Sequence, residues 1–309
     1  MSRHEKAATA ARLAFSGALA ALCLALPAFA QDGGTLKKIK DTGTITIGHR
    51  DASIPFSYYD DQQRPVGYAM DICMVIVDAV KKQLNMPNLK VNYQLVTSAN
   101  RIPLISNGTV DLECGSTTNN NERQQQVSFT NTYFIPANRW AYKKAQNLAT
   151  LDTLKGKTIV STAGTSNIKL ITQLNADKSL GMNIVSANGH PEAFQMVETG
   201  RAVAFVMDDI LLAGLIANSR NPGEFAVSND FLSLEPYGAM LRKDDAAFQK
   251  VCDDATAELY KSGRINAIYD KWFLKPIPPK NITLNVPESE QLKRAFANPT
   301  HSGDPNVYK

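Results

Sequence analysis

Three arginines, each placed just past an apolar run that ends in small or hydroxylated residues, carry the first chemical signal in this 309-residue chain. Arg50 follows Thr44 to Gly48. Ser98-Ala99-Asn100-Arg101 follows Lys90 to Val96, and Ser116-Thr117-Thr118, with Arg123 shortly after, follows Val110 to Cys114. A guanidinium presents a planar fork of donors that matches a carboxylate, and neighbouring hydroxyls complete its coordination. Three such cations around one cleft repel one another unless an acid lies between them, so a small dianion is the guest this pattern fits. Asp208, closing the apolar run Ala202 to Met207, offers the acid that an ammonium group needs. Arg123 and Asp208 together match the two ends of an α-amino acid, leaving Arg50 and Arg101 for a second carboxylate. A neutral amide in that place would strand a buried charge, and discrimination of about a hundredfold is expected.

Each of these residues also has a plain structural alternative. A lone arginine after a strand is usually solvated or paired at the surface, and three in the same setting depart from that pattern. Asp208 is placed to cap a helix over Asp209 to Ala217, Ser98 to cap the short helix carrying Arg101, and His190, before Pro191, to cap another. The pair Thr165-Ser166 follows Gly164 at an expected helix start, where free N–H groups favour an anion. Trp140 and Trp272 are assigned to packing, and Phe56 and Tyr58 are candidates for the cleft wall.

The elements that position these groups form an alternating series. Tyr68 to Leu84 has helical periodicity, with Asp71 near its start and Lys81-Lys82 near its end, as the helix dipole favours. Thr44–Gly48, Tyr68–Leu84, Lys90–Val96, Asn100–Ser106 and Val110–Cys114 read β-α-β-α-β, which predicts a parallel sheet. A second series follows with strands at 158–161, 183–187 and 202–207 and helices at 166–175 and 192–199. The two halves echo each other, since a short helix stopped by Gly108 or Gly200 precedes the strand that delivers Ser116 and Thr118 or Asp208. In open α/β sheets the strand carboxyl ends hold the ligand. About 279 residues beyond the first thirty exceed a single core, so two lobes are expected. Pro136–Trp140 and Leu232–Pro236 are the two connections between them, and an amphipathic helix over Asp244–Ser262 returns the chain to the first lobe. The proline-bearing tail from Pro276 is expected to wrap extended over that lobe or to be partly disordered.

Residues 1–30 carry Arg3, Lys6 and Arg12, an apolar run to Phe29 and the Ala28-Phe29-Ala30 pattern of a cleavage site. The run is short for a bilayer span of about 20 residues, so a cleaved signal peptide is expected. Without its three basic residues and Glu5, the formal charge of +4 falls to +2. No basic block stands out, which excludes nucleic acid as an implied partner. Cys73, Cys114 and Cys252 would allow one disulfide with one thiol over in an exported protein. Cys73 with Cys252, both in helical segments, is favoured slightly over other pairings, with three buried thiols an equal alternative. The cysteines and His4, His49, His190 and His301 show no metal spacing, no Gly-x-Ser-x-Gly elbow or phosphate loop occurs, and no cofactor is expected.

Gly48-His49-Arg50-Asp51, Ile54-Pro55-Phe56-Ser57-Tyr58-Tyr59-Asp60, Gly67-Tyr68, Ser98-Ala99-Asn100-Arg101, Cys114-Gly115-Ser116-Thr117-Thr118, Glu122-Arg123 and Ala202-Val203-Ala204-Phe205-Val206-Met207-Asp208-Asp209 closely resemble the periplasmic glutamate/aspartate-binding proteins of ABC transporters. The resemblance runs from about Leu36 to Asn281. It implies an α/β, two-lobed periplasmic-binding-protein (Venus flytrap) fold, each lobe a mainly parallel sheet flanked by helices, with a two-stranded hinge. Residues 31–136 plus 237–285 would form lobe 1, 137–236 lobe 2 and 286–309 a C-terminal extension. It implies a non-catalytic monomer in the periplasm that binds L-glutamate or L-aspartate and presents it to permease subunits in the inner membrane. By resemblance, Arg123, Thr118 and Ser116, with Thr165 and Ser166, grip the α-carboxylate and ammonium; Asp208 completes the ammonium site; and Arg50, Ser98, Arg101 and His190 form the side-chain carboxylate pocket. Where the family carries a cysteine this chain has Ala239, which leaves the partner of Cys114 open. The alternative is an exported enzyme on the same scaffold, a cyclohexadienyl dehydratase-like protein, for which His190 is the available proton donor.

Overall fold

The computed structural model describes residues 33–309, and the expected signal peptide lies outside the described residues. The first sheet is built from β1 (Thr44–His49), β5 (Lys90–Leu95), β6 (Leu112–Cys114), β7 (Val127–Phe129) and β14 (Met240–Arg242), in the order β5-β1-β6-β14-β7. A ribbon of β2 (Ala52–Ser53), β3 (Ser57–Tyr59) and β4 (Pro65–Val66) stands beside it. The second sheet holds β8 (Ala137–Lys143), β9 (Thr158–Thr162), β10 (Asn183–Ala187), β11 (Ala204–Asp208) and β12 (Phe225–Val227) in the order β10-β9-β11-β8-β12, with β13 (Ser233–Leu234) on β8. The three strands of each βαβαβ series pair in parallel, as expected. The strands that cross between the lobes or return from the crossing, β8 and β14, run antiparallel to β11 and β6. Each lobe is therefore mixed, and the antiparallel half comes from the hinge.

Helix α1 (Thr35–Thr42) opens the described chain, and α2 (Tyr68–Leu84) spans the predicted residues, ending at Asn85 in the left-handed conformation. Its buried face, Ile72, Cys73, Ile76, Val77 and Val80, packs in one core with Ile45, Ile47, Leu112 and Leu241 of the first sheet. Burying each large apolar side chain is worth roughly 1.5–3 kcal/mol. From the other end of the chain, α7 (Ala246–Lys261) joins this core through Phe248, Cys252 and Leu259, followed by α8 (Arg264–Tyr269). The second lobe packs α4 (Ser166–Asp177), α5 (His190–Glu198) and α6 (Asp209–Asn218) on its sheet, and Trp140 fills the centre of a second cluster with Ile159, Ile171 and Val206. Short α3 (Arg101–Ser106) follows β5.

Several expectations are corrected. The disulfide joins Cys73 to Cys114, with Cys252 buried and free, so the favoured Cys73 to Cys252 pair does not form. The bridge ties α2 to β6, two elements whose approach no sequence periodicity records. Phe56 and Tyr58 do not line the cleft. Both lie in the core, Phe56 edge-on to Tyr68, Phe134, Tyr237 and Phe273, and the Tyr58 hydroxyl donates to the Pro278 carbonyl at 2.9 Å. The tail is not simply extended. It forms α9 (Glu290–Ala297), capped by the Ser289 side chain, which buries Leu292, Ala295 and Phe296.

Candidate functional site

The loops that follow the carboxyl ends of the parallel strands of both sheets supply the cleft. Arg50 follows β1; Ser98 and Arg101 follow β5; Ser116 and Thr118 follow β6; Thr165 and Ser166 follow β9; His190 follows β10; Asp208 ends β11. Their convergence is what two parallel series facing one another produce. Eight of the ten predicted residues, Ser98, Arg101, Ser116, Thr118, Thr165, Ser166, His190 and Asp208, line one small enclosed cavity, with Asn167, Met207 and Leu211 completing its wall. Arg50 and Arg123 do not line it. Arg50 is buried beside it within the electrostatic reach of Arg101 and His190, while Arg123 stands in the adjoining wider part of the cleft that shares Thr118, Thr165 and Ser166.

All three arginines are nine-tenths or more buried, and among the described residues none forms an ion pair with a carboxylate. Arg101 Nη1 donates to the Ser116 carbonyl at 3.3 Å and to Thr117 Oγ1, whose hydroxyl donates to Glu113 Oε2 at 2.7 Å. Arg123 Nη1 donates to the Thr118 carbonyl at 2.8 Å, and its Nη2 reaches across to the Gly164 carbonyl at 3.3 Å. Buried polar atoms left without a protein partner cluster here: Nε and Nη1 of Arg50, Nε of Arg101, the Ser98 and Ser116 hydroxyls and Nε2 of His190. Stranded polar groups cost free energy in a fold, so such a cluster marks the place where a ligand's polar atoms belong. Burial first, and then the charge of Arg101, holds Arg50 and Arg123 down to about 10, still protonated at neutral pH. Burial, then Arg50 and Arg101, holds His190 well below the usual imidazole value, so the ring is neutral. Its Nδ1 faces Thr162 Oγ1 at 2.8 Å, and in the tautomer in which that hydroxyl donates, Nε2–H points at the cavity.

On the opposite wall Asp208 does not cap α6 with its side chain, as its position suggests. Instead Asn167 Nδ2 donates to Oδ1 at 2.7 Å and the Tyr237 hydroxyl to Oδ2. Burial, and secondly Glu235, push Asp208 up to about 8, a carboxyl that wants a cation beside it. Ser98 likewise caps nothing, since Asn100 takes the cap position of α3 and the Ser98 hydroxyl faces the site. Thr165 does cap α4, accepting from Ile168 N at 3.2 Å, and His190 begins α5.

The lobes meet directly across the cleft. Thr118 Oγ1 lies 3.1 Å from Ser166 Oγ, which donates to Glu235 Oε2 of the hinge at 2.8 Å. Gly164, at φ +76°, packs so tightly on the first lobe that a Cβ there would lie 2.6 Å from Ala99 Cα. The hinge is two chain segments side by side, Phe134 facing Tyr237 and β8 facing β13. Sequence reasoning missed Asn167, Glu113, Thr162, Tyr237 and Glu235. Thr162 had a signal, as a hydroxyl residue just past the predicted strand at 158–161; Glu235 and Tyr237 had none, because only the tertiary fold brings them to Ser166 and Asp208.

The model of the bacterial extracellular solute-binding proteins, family 3, matches residues 45–275. The chain is 55% identical over 287 residues to the L-glutamate/L-aspartate-binding protein of Pseudomonas aeruginosa, covering 92% of this chain and 95% of that one. It is 46% identical over 299 residues to the glutamate/aspartate import solute-binding protein of Escherichia coli K12, covering 97% and 98%. Among solved structures, the ancestral amino acid-binding protein AncCDT-1, a precursor of cyclohexadienyl dehydratase, superposes with a TM-score of 0.65 at 27% identity, covering 77% of this chain and 99% of that one.

Proposed function

The chain belongs to the bacterial extracellular solute-binding proteins, family 3, and from that premise we infer that it binds an acidic L-amino acid, glutamate or aspartate, in the periplasm and delivers it to an ABC importer. The similarity to the glutamate/aspartate-binding proteins of Pseudomonas aeruginosa and Escherichia coli supports this reading. The observation that carries it is the set of three buried arginines without ion-pair partners, facing a buried aspartic acid across a closed cleft. One carboxylate satisfies one end and one ammonium the other; a second carboxylate engages the remaining guanidinium donors.

In this reading the side-chain carboxylate takes the hydrogens of Arg50, Ser98, Arg101 and His190 Nε2, four groups that each hold a buried unpartnered polar atom. The α-carboxylate lies against Arg123, Thr118, Ser116 and the start of α4 at Thr165 and Ser166, where unpaired N–H groups favour an anion. Asp208 takes the ammonium, its carboxylate aimed by Asn167 and Tyr237. Because the donors come from both lobes, the ligand stabilises the closed form selectively, and closure is what the permease recognises. The enzyme alternative is not favoured: the relatives matched over nearly their whole length are named as solute-binding proteins, and His190 is a neutral hydrogen-bond donor that burial, and secondly the charges of Arg50 and Arg101, keep from taking up a second proton.

Calorimetric titration with glutamate, aspartate, glutamine and prephenate tests the reading. Saturable one-site heats for the first two are expected, with glutamine weaker by about a hundredfold or more and no continuing heat from prephenate. Glutamine binding as tightly as glutamate would overturn it.

A further inference from the structure

The family match ends at residue 275, and the 34 residues beyond it return to the ligand site. After α9, the Thr300 carbonyl accepts from Thr132 N at 2.9 Å, beside the hinge. The His301 carbonyl accepts from Asn119 Nδ2 at 2.9 Å and Gln124 Nε2 at 2.8 Å, and the Ser302 carbonyl from Asn119 Nδ2 at 3.3 Å. Gly303 lies against the backbone of the same loop, where a Cβ would stand 2.8 Å from Asn120 C and Asn121 N. Tyr308 then anchors the end: its hydroxyl is 2.8 Å from Thr132 Oγ1, and its ring packs with Ala295 on Ile135 and Leu234, one from each hinge segment. His301 Nδ1, 3.1 Å from Asp253, pins the turn to α7.

The loop held in this way, residues 119–124, follows Thr118 and carries Arg123. Asn119 is fixed on three sides: its N–H donates to the hinge carbonyl of Pro236 at 2.7 Å, its amide nitrogen serves the tail, and its Oδ1 accepts from Gln124 Nε2 at 2.8 Å. Asn120 Oδ1 in turn accepts from Arg123 N at 2.9 Å. The loop's own sequence, Asn-Asn-Asn-Glu, has no apolar side chain to anchor it, and an unsupported polar loop of this kind is mobile.

We propose that the C-terminal segment 300–308 is a positioning element of the binding site, a strap that presets Thr118 and Arg123 for the α-carboxylate by bracing the 119–124 loop and the hinge. This rests on the reading that Arg123 grips the α-carboxylate, a group common to every α-amino acid. The segment therefore sets affinity without setting the choice between ligands, because it never approaches the side-chain pocket of Arg50, Ser98, Arg101 and His190. Preorganising donors before the ligand arrives removes an ordering cost from binding.

The test compares Gly303→Val and Gln124→Met with the wild-type full chain, by glutamate and aspartate titration and by thermal unfolding without ligand. Gly303→Val, which forces the Asn120–Asn121 backbone to move, is expected to weaken both ligands by about tenfold or more. Gln124→Met, which removes two hydrogen bonds, is expected to weaken both several-fold. The glutamate-to-aspartate ratio should hold in each variant and the unliganded unfolding temperature should stay close to wild type. Wild-type affinity in both Gly303→Val and Gln124→Met, or a changed ratio, would overturn the proposal; if Gly303→Val fails to fold, Gln124→Met decides. Wild-type protein that binds neither ligand would instead overturn the underlying reading of the site.

Discussion

Replacing Arg101 by methionine separates ligand recognition from fold stability, and the two effects should have opposite signs. Arg101 Nη1 is already engaged by the Ser116 carbonyl and Thr117 Oγ1, whereas its buried Nε has no protein partner and is a donor free for a ligand. One charge-assisted hydrogen bond to a carboxylate is worth about 1.5–3 kcal/mol, a loss of roughly 10- to 150-fold in glutamate affinity. Glutamine offers the same donor only a neutral amide oxygen, worth about 0.5–1.5 kcal/mol, or roughly 2- to 10-fold. The unliganded protein should not suffer in proportion. Arg50 and Arg123 are each held at about 10 against an ordinary 12.5, by burial first and Arg101 second. At 1.36 kcal/mol per pKa unit that is about 3 kcal/mol of charging cost at each group, part of which methionine relieves. The assay is paired calorimetry with both ligands and thermal unfolding without them. Equal losses for glutamate and glutamine, or an unliganded protein destabilised like an ordinary core truncation, would refute the reasoning.

Protonation supplies a second outcome. Asp208 sits at about 8 in the unliganded site, and an ammonium beside it lowers that value, so binding at pH 6 should release a proton. Glutamate affinity should then rise with pH up to about 8, while the unliganded fold loses stability between the ordinary value of 3.8 and about 8, because the unfolded chain there holds fewer protons. Titrations in buffers of different ionisation enthalpy measure the release, and Asp208→Asn should abolish it. Gly164→Ala should weaken glutamate by about tenfold or more, chiefly through faster dissociation, since its Cβ meets Ala99 only when the lobes are closed; stopped-flow rates unchanged from wild type would count against closure as the binding step. Reducing the Cys73–Cys114 bridge, which spans 41 residues, should cost about 4 kcal/mol by loop-closure entropy, or roughly 10 °C in unfolding temperature. An unfolding temperature unmoved by reductant would refute that assignment.

Ordered motifs and periodicity reached far in this chain. The span of α2 from Tyr68 to Leu84, the parallel βαβαβ order of both lobes and the placing of nine of the ten site residues at strand ends or in the loops that follow were all legible, because each depends on residues near one another along the chain. So was the acidic-amino-acid chemistry, since arginine cannot shed its charge and a buried charge demands a partner of opposite sign. Residue type and local spacing determine that much. What only tertiary structure decided depends on approaches between distant segments. Cys73 pairs with Cys114 rather than Cys252 because the packing of α2 on β6 sets which sulfurs meet. Glu113 enters the arginine cluster through Thr117, Glu235 meets Ser166 through the packing of the second lobe, and Tyr237 reaches Asp208 from the other chain segment of the hinge. The tail folds back on Asn119 and Gln124 from more than 170 residues away. Periodicity records which face of an element is buried and is silent on which neighbour buries it, and that choice belongs to the packed whole.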